Sequence, residues 1–123
     1  MLIEENHNPE DFVITGYENG RLEINGKIYQ EAVVLRPGSL DSSQAAAPTA
    51  LSAELLLDVP EGKPLPEVIL VGTGATQVFL HPKIAAALAA KGIGLESMAT
   101  AAACRTYTIL QSEGRRVWAW LWP

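Results

Sequence analysis

The length, composition and charge of this chain limit what it can be. Its 123 residues suffice for one domain, and 48% apolar with 19% charged residues can bury a core, which excludes a disordered chain. Nine basic against 14 acidic residues give a net charge of -5, and this balance argues against a nucleic-acid-binding protein, which needs basic surface to neutralise phosphates.

Short strands are predicted in the first third of the chain. Phe12–Tyr17, Leu22–Ile24 and Ile28–Leu35 are rich in β-forming residues and are separated by turn sequences. The strongest turn signal is Asn25-Gly26, because both central residues of a type I′ hairpin turn need positive φ. These runs predict an antiparallel β-meander.

A loop and a short helix are predicted next. Residues 37–52 are rich in Ser, Ala and Pro, and we expect a surface loop there. Ser52 is suited to cap a helix over Ala53–Leu57, since its hydroxyl can accept a hydrogen bond from the first turn. The prolines from Pro60 to Pro66 end that helix.

Beyond the prolines the pattern changes and predicts alternating strands and helices. Val68–Val71 is a continuous apolar run, typical of a strand that is covered on both faces. Pro82 suits the first turn of a helix over Lys83–Lys91, and Gly92 suits the left-handed position that ends it. A short strand is predicted over Ile93–Glu96.

The last part of the chain predicts one helix and one interior strand. The helix runs from about Ala99 to Ser112, and its expected buried stripe is Ala102, Thr106, Ile109 and Leu110. In the final strand Trp118, Trp120 and Trp122 share one face, and Val117, Ala119 and Leu121 share the other. We expect the tryptophan face to pack beneath the meander; a partner or oligomer surface is the alternative.

Together these elements predict one α/β domain over residues 1–123. Residues 67–123 form a strand-helix-strand-helix-strand core with a mixed sheet and helices on one face. Residues 1–66 form the acidic meander and the loop, which cover the other face as a third layer. The charges follow this division, because residues 1–67 hold 12 acids and 4 bases and residues 68–123 hold 2 acids and 5 bases.

Two segments are candidates for a ligand site at one edge of the sheet. Gly72-Thr73-Gly74 follows an apolar strand, and its backbone N–H groups either contact a ligand or serve only a tight turn. The segment Met98–Arg105 opens a helix that Thr100 or Ser97 would cap, and helix N-termini attract anions. The candidate ligand-binding residues are Gly72, Thr73, Gly74, Met98, Thr100, Cys104 and Arg105.

The sequence predicts no catalytic residues, no metal and no cofactor. Cys104 has no cysteine partner, and its spacing from His7 and His81 places neither beside it, so we expect a small buried hydrophobic side chain. Arg105 either pairs with an acid of the front half or binds a carboxylate or phosphate. The acids Glu4, Glu5, Glu10 and Asp11 are expected at the solvated surface.

The ends and apolar runs of the chain bear on its location. The N-terminus lacks the basic and apolar blocks of a signal peptide, and no apolar run approaches the length of a membrane span. A cytoplasmic protein without a transmembrane segment is therefore expected.

Three stretches resemble one family of small proteins of unknown function: Gly72-Thr73-Gly74, the run from Gly92 to Tyr107, and the run from Glu113 to Val117. The family occurs in bacteria and archaea, and it includes a mitochondrial factor for the assembly of respiratory complex I and an animal protein linked to adipogenesis. The resemblance implies a single α/β domain with a mixed sheet, helices on one side and a β-layer on the other. It implies assembly and interaction roles for the mitochondrial branch of the family, and it brings no established enzyme activity.

The sequence departs from the family pattern at several positions. An acidic residue is common in the family where Ala99 stands, an asparagine where Thr108 stands, and small aliphatic residues where Trp118 and Trp120 stand. The leading hypothesis is a non-enzymatic interaction or assembly-type module, whose partner is another protein or a second copy of the chain. A small-molecule-binding protein or enzyme, with its site between Gly72-Thr73-Gly74 and Met98–Arg105, is the alternative.

Overall fold

The computed structural model describes residues 12–123. His7 and the acids expected at the solvated surface, Glu4, Glu5, Glu10 and Asp11, lie outside the described residues. The elements are β1 (Ile14–Glu18), β2 (Arg21–Ile24), β3 (Lys27–Tyr29), β4 (Val33–Arg36), β5 (Ser39–Ser42), a 3₁₀ helix (Pro48–Ala50), α1 (Ala53–Leu56), β6 (Val68–Thr73), α2 (Pro82–Ala89), β7 (Gly94–Met98), α3 (Thr100–Ser112) and β8 (Val117–Trp122). They form a three-stranded sheet, β1-β2-β3, and a five-stranded sheet, β5-β4-β8-β6-β7.

The three-stranded sheet follows the predicted turn chemistry. Its neighbouring strands are antiparallel, and Ile24 pairs with Lys27 across a two-residue turn. Asn25 and Gly26 in that turn have φ of 51° and 80°, as a type I′ turn requires. The side-chain oxygen of Asn25 also accepts a hydrogen bond from the backbone N–H of Val13 at 2.9 Å. The predicted meander is therefore confirmed for β1 to β3.

The run predicted as the returning strand of the meander, Ile28–Leu35, divides into two strands. β3 ends the small sheet, whereas β4 pairs with β8 in the five-stranded sheet. The single-strand prediction was wrong because Val33, Val34 and Leu35 are all buried. A strand with both faces buried belongs in the interior of a covered sheet.

The stretch predicted as a surface loop, residues 37–52, contains a strand. Pro37 and Gly38 make the turn between β4 and β5, and Gly38 has a φ of 78°. Proline followed by a glycine of positive φ is the residue pair of a type II turn. The sequence did not predict this strand because its polar residues have low β-propensity. It forms because the turn brings it into register with β4.

The five-stranded sheet is mixed, which confirms the predicted α/β class. β6, β7 and β8 are parallel, and β4 is antiparallel to both of its neighbours. The chain passes from β6 to β7 in one direction and returns past β6 to β8 in the other. Because parallel crossovers are right-handed, these opposite steps place α2 and α3 on opposite faces. Helices α1 and α2 cover one face, as expected, whereas α3 lies with the meander on the other.

The sheet therefore separates two apolar clusters. On one side Leu22 and Ile24 of the meander pack with Ala103 and Tyr107 of α3. On the other side α1 and α2 pack against the tryptophan face of β8, including Trp118 and Trp120. The expectation that this face lies beneath the meander was wrong, because alternate residues of β8 face the meander instead. The expectation of an interior strand is confirmed.

The ends of the first two helices follow their sequence signals. Ser52 Oγ accepts a hydrogen bond from the backbone N–H of Leu55 at 3.1 Å and caps α1. Pro82 lies in the first turn of α2. Gly92 has a φ of 77°, and the N–H of Ile93 donates to the carbonyl of Leu88 at 3.0 Å. These predictions are confirmed.

Helix α3 buries a different stripe from the predicted one. Its buried residues are Thr100, Ala103, Cys104 and Tyr107, whereas Ala102, Thr106 and Leu110 are partly exposed and Ile109 is 56% exposed. Both sets have helical spacing, so periodicity alone did not separate them. Close packing on β6 selects the small side chains of Thr100 and Ala103, which lie against Gly72.

Candidate functional site

The carboxyl ends of β6 and β7 bring two of the predicted segments together. The strands are parallel neighbours, and Gly72 pairs with Met98. The loops that follow them lead to opposite faces of the sheet, toward α2 and α3. Such a divergence is where open α/β sheets form ligand crevices. Gly72-Thr73-Gly74 and Thr100 thus meet at the place where a ligand site was expected.

The polar atoms at this junction bond to one another. Thr100 Oγ1 accepts from the N–H of Gly74 at 2.7 Å and donates to the carbonyl of Trp122 at 2.5 Å. The N–H of Thr100 donates to the carbonyl of Gly74 at 2.9 Å. Thr73 Oγ1 donates to the carbonyl of Thr76 at 2.6 Å. Groups that would otherwise contact a ligand are therefore already paired.

The space at the junction is filled as well. Thr100 is fully buried, and a Cβ on Gly72 would lie 2.9 Å from Thr100 Oγ1 and 3.0 Å from Leu121 Cδ2. Gly74 has a φ of 95°, which favours glycine. Gly72 thus serves the close approach of α3 to the sheet, and Gly74 serves the turn.

The start of α3 lacks the side-chain cap that was predicted. Ala99 occupies the N-cap position and makes no capping hydrogen bond, and Ser97 lies within β7. The prediction that Thr100 or Ser97 caps the helix was wrong because the Thr100 hydroxyl bonds to the β6 turn and to the end of β8.

Cys104 and Arg105 lie further along α3, at a shallow depression between this helix and β1. Cys104 is a buried free thiol, as expected. Burial raises its pKa to about 11, although the charge of Arg105 acts in the opposite direction. The side chain of Arg105 is exposed and forms no hydrogen bond or ion pair within residues 12–123, so the expected acidic partner is not among them.

Arg36, at the end of β4, is a residue that the sequence reasoning missed. Its guanidinium carbon lies 5.1 Å and 5.2 Å from the ring centroids of Trp118 and Trp120. Its Nη1 lies 3.7 Å from Asp41 Oδ2, and its buried Nε has no hydrogen-bond partner. Burial lowers the pKa of Arg36, whereas the carboxylates of Asp41 and Asp58 raise it. Only the pairing of β4 with β8 reveals this contact, and that pairing joins residues distant in sequence.

The loop between β6 and α2 presents an exposed aromatic side chain. Phe79 is 81% exposed, the largest value for a big apolar side chain within residues 12–123. It borders a depression of about 390 Å³ to which Leu51, Leu80 and Pro82 contribute. The sequence did not predict this combination of a projecting phenyl ring and an apolar hollow.

Residues 12–123 contain neither a membrane-spanning helix nor a cluster of metal-ligating side chains. None of the helices there has both the length and the apolar character needed to cross a membrane. The same part of the chain contains no group of three or more His, Cys, Asp or Glu residues placed to hold a metal ion.

The fold defines a small α/β protein whose mixed sheet lies between a helical layer and a layer made of α3 and a β-meander. Residues 14–122 match the family described as "Protein of unknown function (DUF498/DUF598)", and the chain belongs to that family. The resemblance found in the sequence motifs is therefore confirmed.

Relatives and solved structures agree with this assignment. An uncharacterized protein of Rhodobacter capsulatus is 36% identical over 111 residues, covering 89% of this chain and 83% of the relative. NADH dehydrogenase [ubiquinone] 1 alpha subcomplex assembly factor 3 of Danio rerio is 34% identical over 116 residues, covering 90% of this chain. The chain spans 64% of that relative's length. A crystal structure from Bordetella parapertussis has 41% identity and a TM-score of 0.82, covering 91% of this chain and 95% of the other.

Proposed function

We propose that this protein is a non-enzymatic interaction module that assists the assembly of a larger protein complex. The observation that carries the proposal is Phe79, an aromatic side chain 81% exposed beside an apolar hollow. Large apolar side chains in such settings are characteristic of protein–protein contacts, where a few aromatic anchors supply much of the binding energy.

The Phe79 loop is held in place by hydrogen bonds to the ends of two strands. The N–H of Val78 donates to Thr73 Oγ1 at 3.0 Å, and Gln77 Nε2 donates to the carbonyl of Ser97 at 2.9 Å. A loop fixed in this way loses little conformational freedom on binding, which favours affinity. The same contacts give the Thr73 hydroxyl a role in presenting Phe79.

The partner that we propose is a subunit of NADH dehydrogenase with an apolar surface for Phe79 and the hollow. The name of the Danio rerio relative, an assembly factor for that enzyme, supports this choice. A partner of this kind buries Phe79 together with Leu80 and Pro82. The burial of apolar surface is then the main source of binding energy.

The test is deletion of the gene in cells that produce the protein, followed by native gel analysis of NADH dehydrogenase. We expect less of the mature enzyme and more of its subassemblies, with recovery on expression of the wild-type protein. Phe79→Ala should restore assembly poorly, whereas Ile109→Ala, at an apolar side chain 56% exposed on α3, should restore it fully. Because both side chains are exposed, neither change should lower the melting temperature appreciably.

Two results would contradict this proposal. Normal assembly without the protein would exclude the assembly role. Full rescue by Phe79→Ala would exclude this surface as the contact.

A ligand site between Gly72-Thr73-Gly74 and Met98–Arg105 is the second hypothesis. Its support is the divergence of the loops after β6 and β7. The mutual hydrogen bonds of Gly74 and Thr100 weigh against it. A thermal-shift screen of metabolites distinguishes the two, since a ligand at this junction should stabilise the wild-type protein and lose that effect in Thr100→Val, whose hydroxyl lies there.

A further inference from the structure

We propose that the concavity beside Arg36 binds a small organic anion, an aromatic carboxylate. The concavity lies where β4 turns into β5 and β8 begins, and its volume is about 510 Å³. This volume suits a small organic molecule. The place is separate from the Phe79 hollow, with which it shares no lining residue, so the inference is independent of the proposed function.

The lining of the concavity is mainly apolar. Trp118 of β8 and three residues of the segment between α1 and β6, Val59, Pro60 and Pro64, contribute to it. Prolines restrict the backbone, so this wall is largely formed before a ligand arrives. An aromatic ring can bury its faces against such a lining and gain the free energy of apolar burial.

Cationic groups border the same concavity. Arg36, Lys63 and Arg116 contribute to the lining, and Asp41 is the one carboxylate among the lining residues. The side-chain amine of Lys63 forms no hydrogen bond or ion pair within residues 12–123, while its backbone N–H donates to the carbonyl of Pro60 at 3.3 Å. Arg116 Nε donates to the carbonyl of Leu65 at 3.1 Å, which fixes that side chain. The lining residues themselves carry three cations and one carboxylate, which favours an anion in the concavity, although Asp58 also acts on Arg36 and Glu67 on Arg116.

The guanidinium of Arg36 has capacity left for an anion. Its contact with Asp41 is 3.7 Å, longer than the distance of about 2.8 Å typical of a charge-assisted hydrogen bond. Asp41 has a side chain that is 59% exposed, and the Arg36 side chain is 21% exposed, so part of the guanidinium faces the concavity and is open to a second anion. The rings of Trp118 and Trp120 hold the guanidinium in position. A carboxylate can therefore reach an oriented cation at little entropic cost.

The test is a nuclear magnetic resonance titration of the full chain with phenylacetate. Phenylacetamide, which has the ring without the charge, and acetate, which has the charge without the ring, are the matched probes. We expect saturable shifts for phenylacetate at the backbone and indole signals of Trp118 and at Lys63. The two other probes should bind at least about fivefold more weakly, since each lacks one of the two contributions.

Charge-reversal variants separate this site from general attraction of anions. Lys63→Glu should weaken phenylacetate binding about fivefold, in keeping with the loss of one partly exposed charge contact. Lys83→Glu makes the same change in net charge at an exposed position on α2 and should leave binding unchanged. Equal affinity for phenylacetamide, equal weakening by both variants, or no saturable shift near Trp118 would each overturn the proposal.

Discussion

Gly72 illustrates how one residue controls the distance between a helix and the sheet. A Cβ at this position would lie 2.9 Å from Thr100 Oγ1 and 3.1 Å from Ala103 Cβ, on a helix that packs against β6. Gly72→Ala should lower the free energy of unfolding by about 1–3 kcal/mol, because an added methyl in a filled core forces its neighbours apart. Urea denaturation measures this change.

Gly94→Ala is the matched control for that substitution. Gly94 also lies in a strand of the main sheet, but the nearest atom to an added Cβ, the carbonyl oxygen of Glu67, is 3.8 Å away. The control should change stability by less than about 0.5 kcal/mol. Equal destabilisation by the two variants would show that the packing of α3 is not the cause.

Cys104 gives a prediction about pH, because burial raises the pKa of its thiol from 9.0 to about 11. The folded protein keeps this proton to higher pH than the unfolded chain does. Between these two pH values the unfolded state binds fewer protons, so the stability should fall as pH rises above 9. Denaturation at several pH values measures the slope, which should be smaller in Cys104→Ala. An identical slope in that variant would contradict the raised pKa.

At the scale of elements, the attachment of α3 depends on the Thr100 hydroxyl. This group joins the turn after β6 to the end of β8 through Gly74 and Trp122. Thr100→Val keeps the shape but leaves the partly buried N–H of Gly74 and carbonyl of Trp122 without that partner. The expected loss of unfolding free energy is about 1–3 kcal/mol.

Thr108→Val on the same helix tests whether the loss comes from that link. Thr108 is exposed, and its hydroxyl bonds only to the carbonyl of Cys104 one turn earlier, at 3.0 Å. Its replacement should change the urea midpoint little. If both variants lose the same stability, helix propensity rather than the link explains the effect.

Local signals in the sequence predicted the turns and helix ends, whose conformation is set by residues adjacent in the chain. The Asn25-Gly26 turn, the Ser52 cap and the left-handed Gly92 each follow from the conformational preference of one or two residues. The stripe of α3 did not follow in the same way, since in an alanine-rich helix several faces have similar hydrophobicity. The neighbouring strand, rather than the helix, decides which face is buried.

Long-range pairing explains the other differences between expectation and structure. The sheet to which β4 belongs depends on its register with β8, in which Val34 faces Trp120. The same register places Arg36 against the tryptophan rings and forms the basic concavity. The candidate residues near Gly72 could be predicted because they follow the ends of strands that are visible in the sequence. Arg36 and Phe79 could not, because their importance comes from a tertiary contact and from solvent exposure, respectively.

At the scale of the whole molecule, β8 connects the two apolar clusters. Trp118 and Trp120 face α1 and α2, while Val117, Ala119 and Leu121 of the same strand face the meander and α3. A loss of packing on one face of the sheet therefore also destabilises β8, which contributes side chains to both clusters. This arrangement predicts that the meander and the main sheet unfold together as one domain.

Leu22→Ala tests that prediction with the tryptophans as reporters on the far side of the sheet. Leu22 is fully buried in the meander, so its truncation should cost about 2–5 kcal/mol. If the molecule is one cooperative unit, tryptophan fluorescence and far-ultraviolet circular dichroism should shift to the same lower urea midpoint. Leu88→Ala, in the cluster that contains the tryptophans, should behave in the same way. A fluorescence midpoint that stays at the wild-type value in Leu22→Ala, while circular dichroism reports an earlier transition, would mean that the meander unfolds separately from the main sheet.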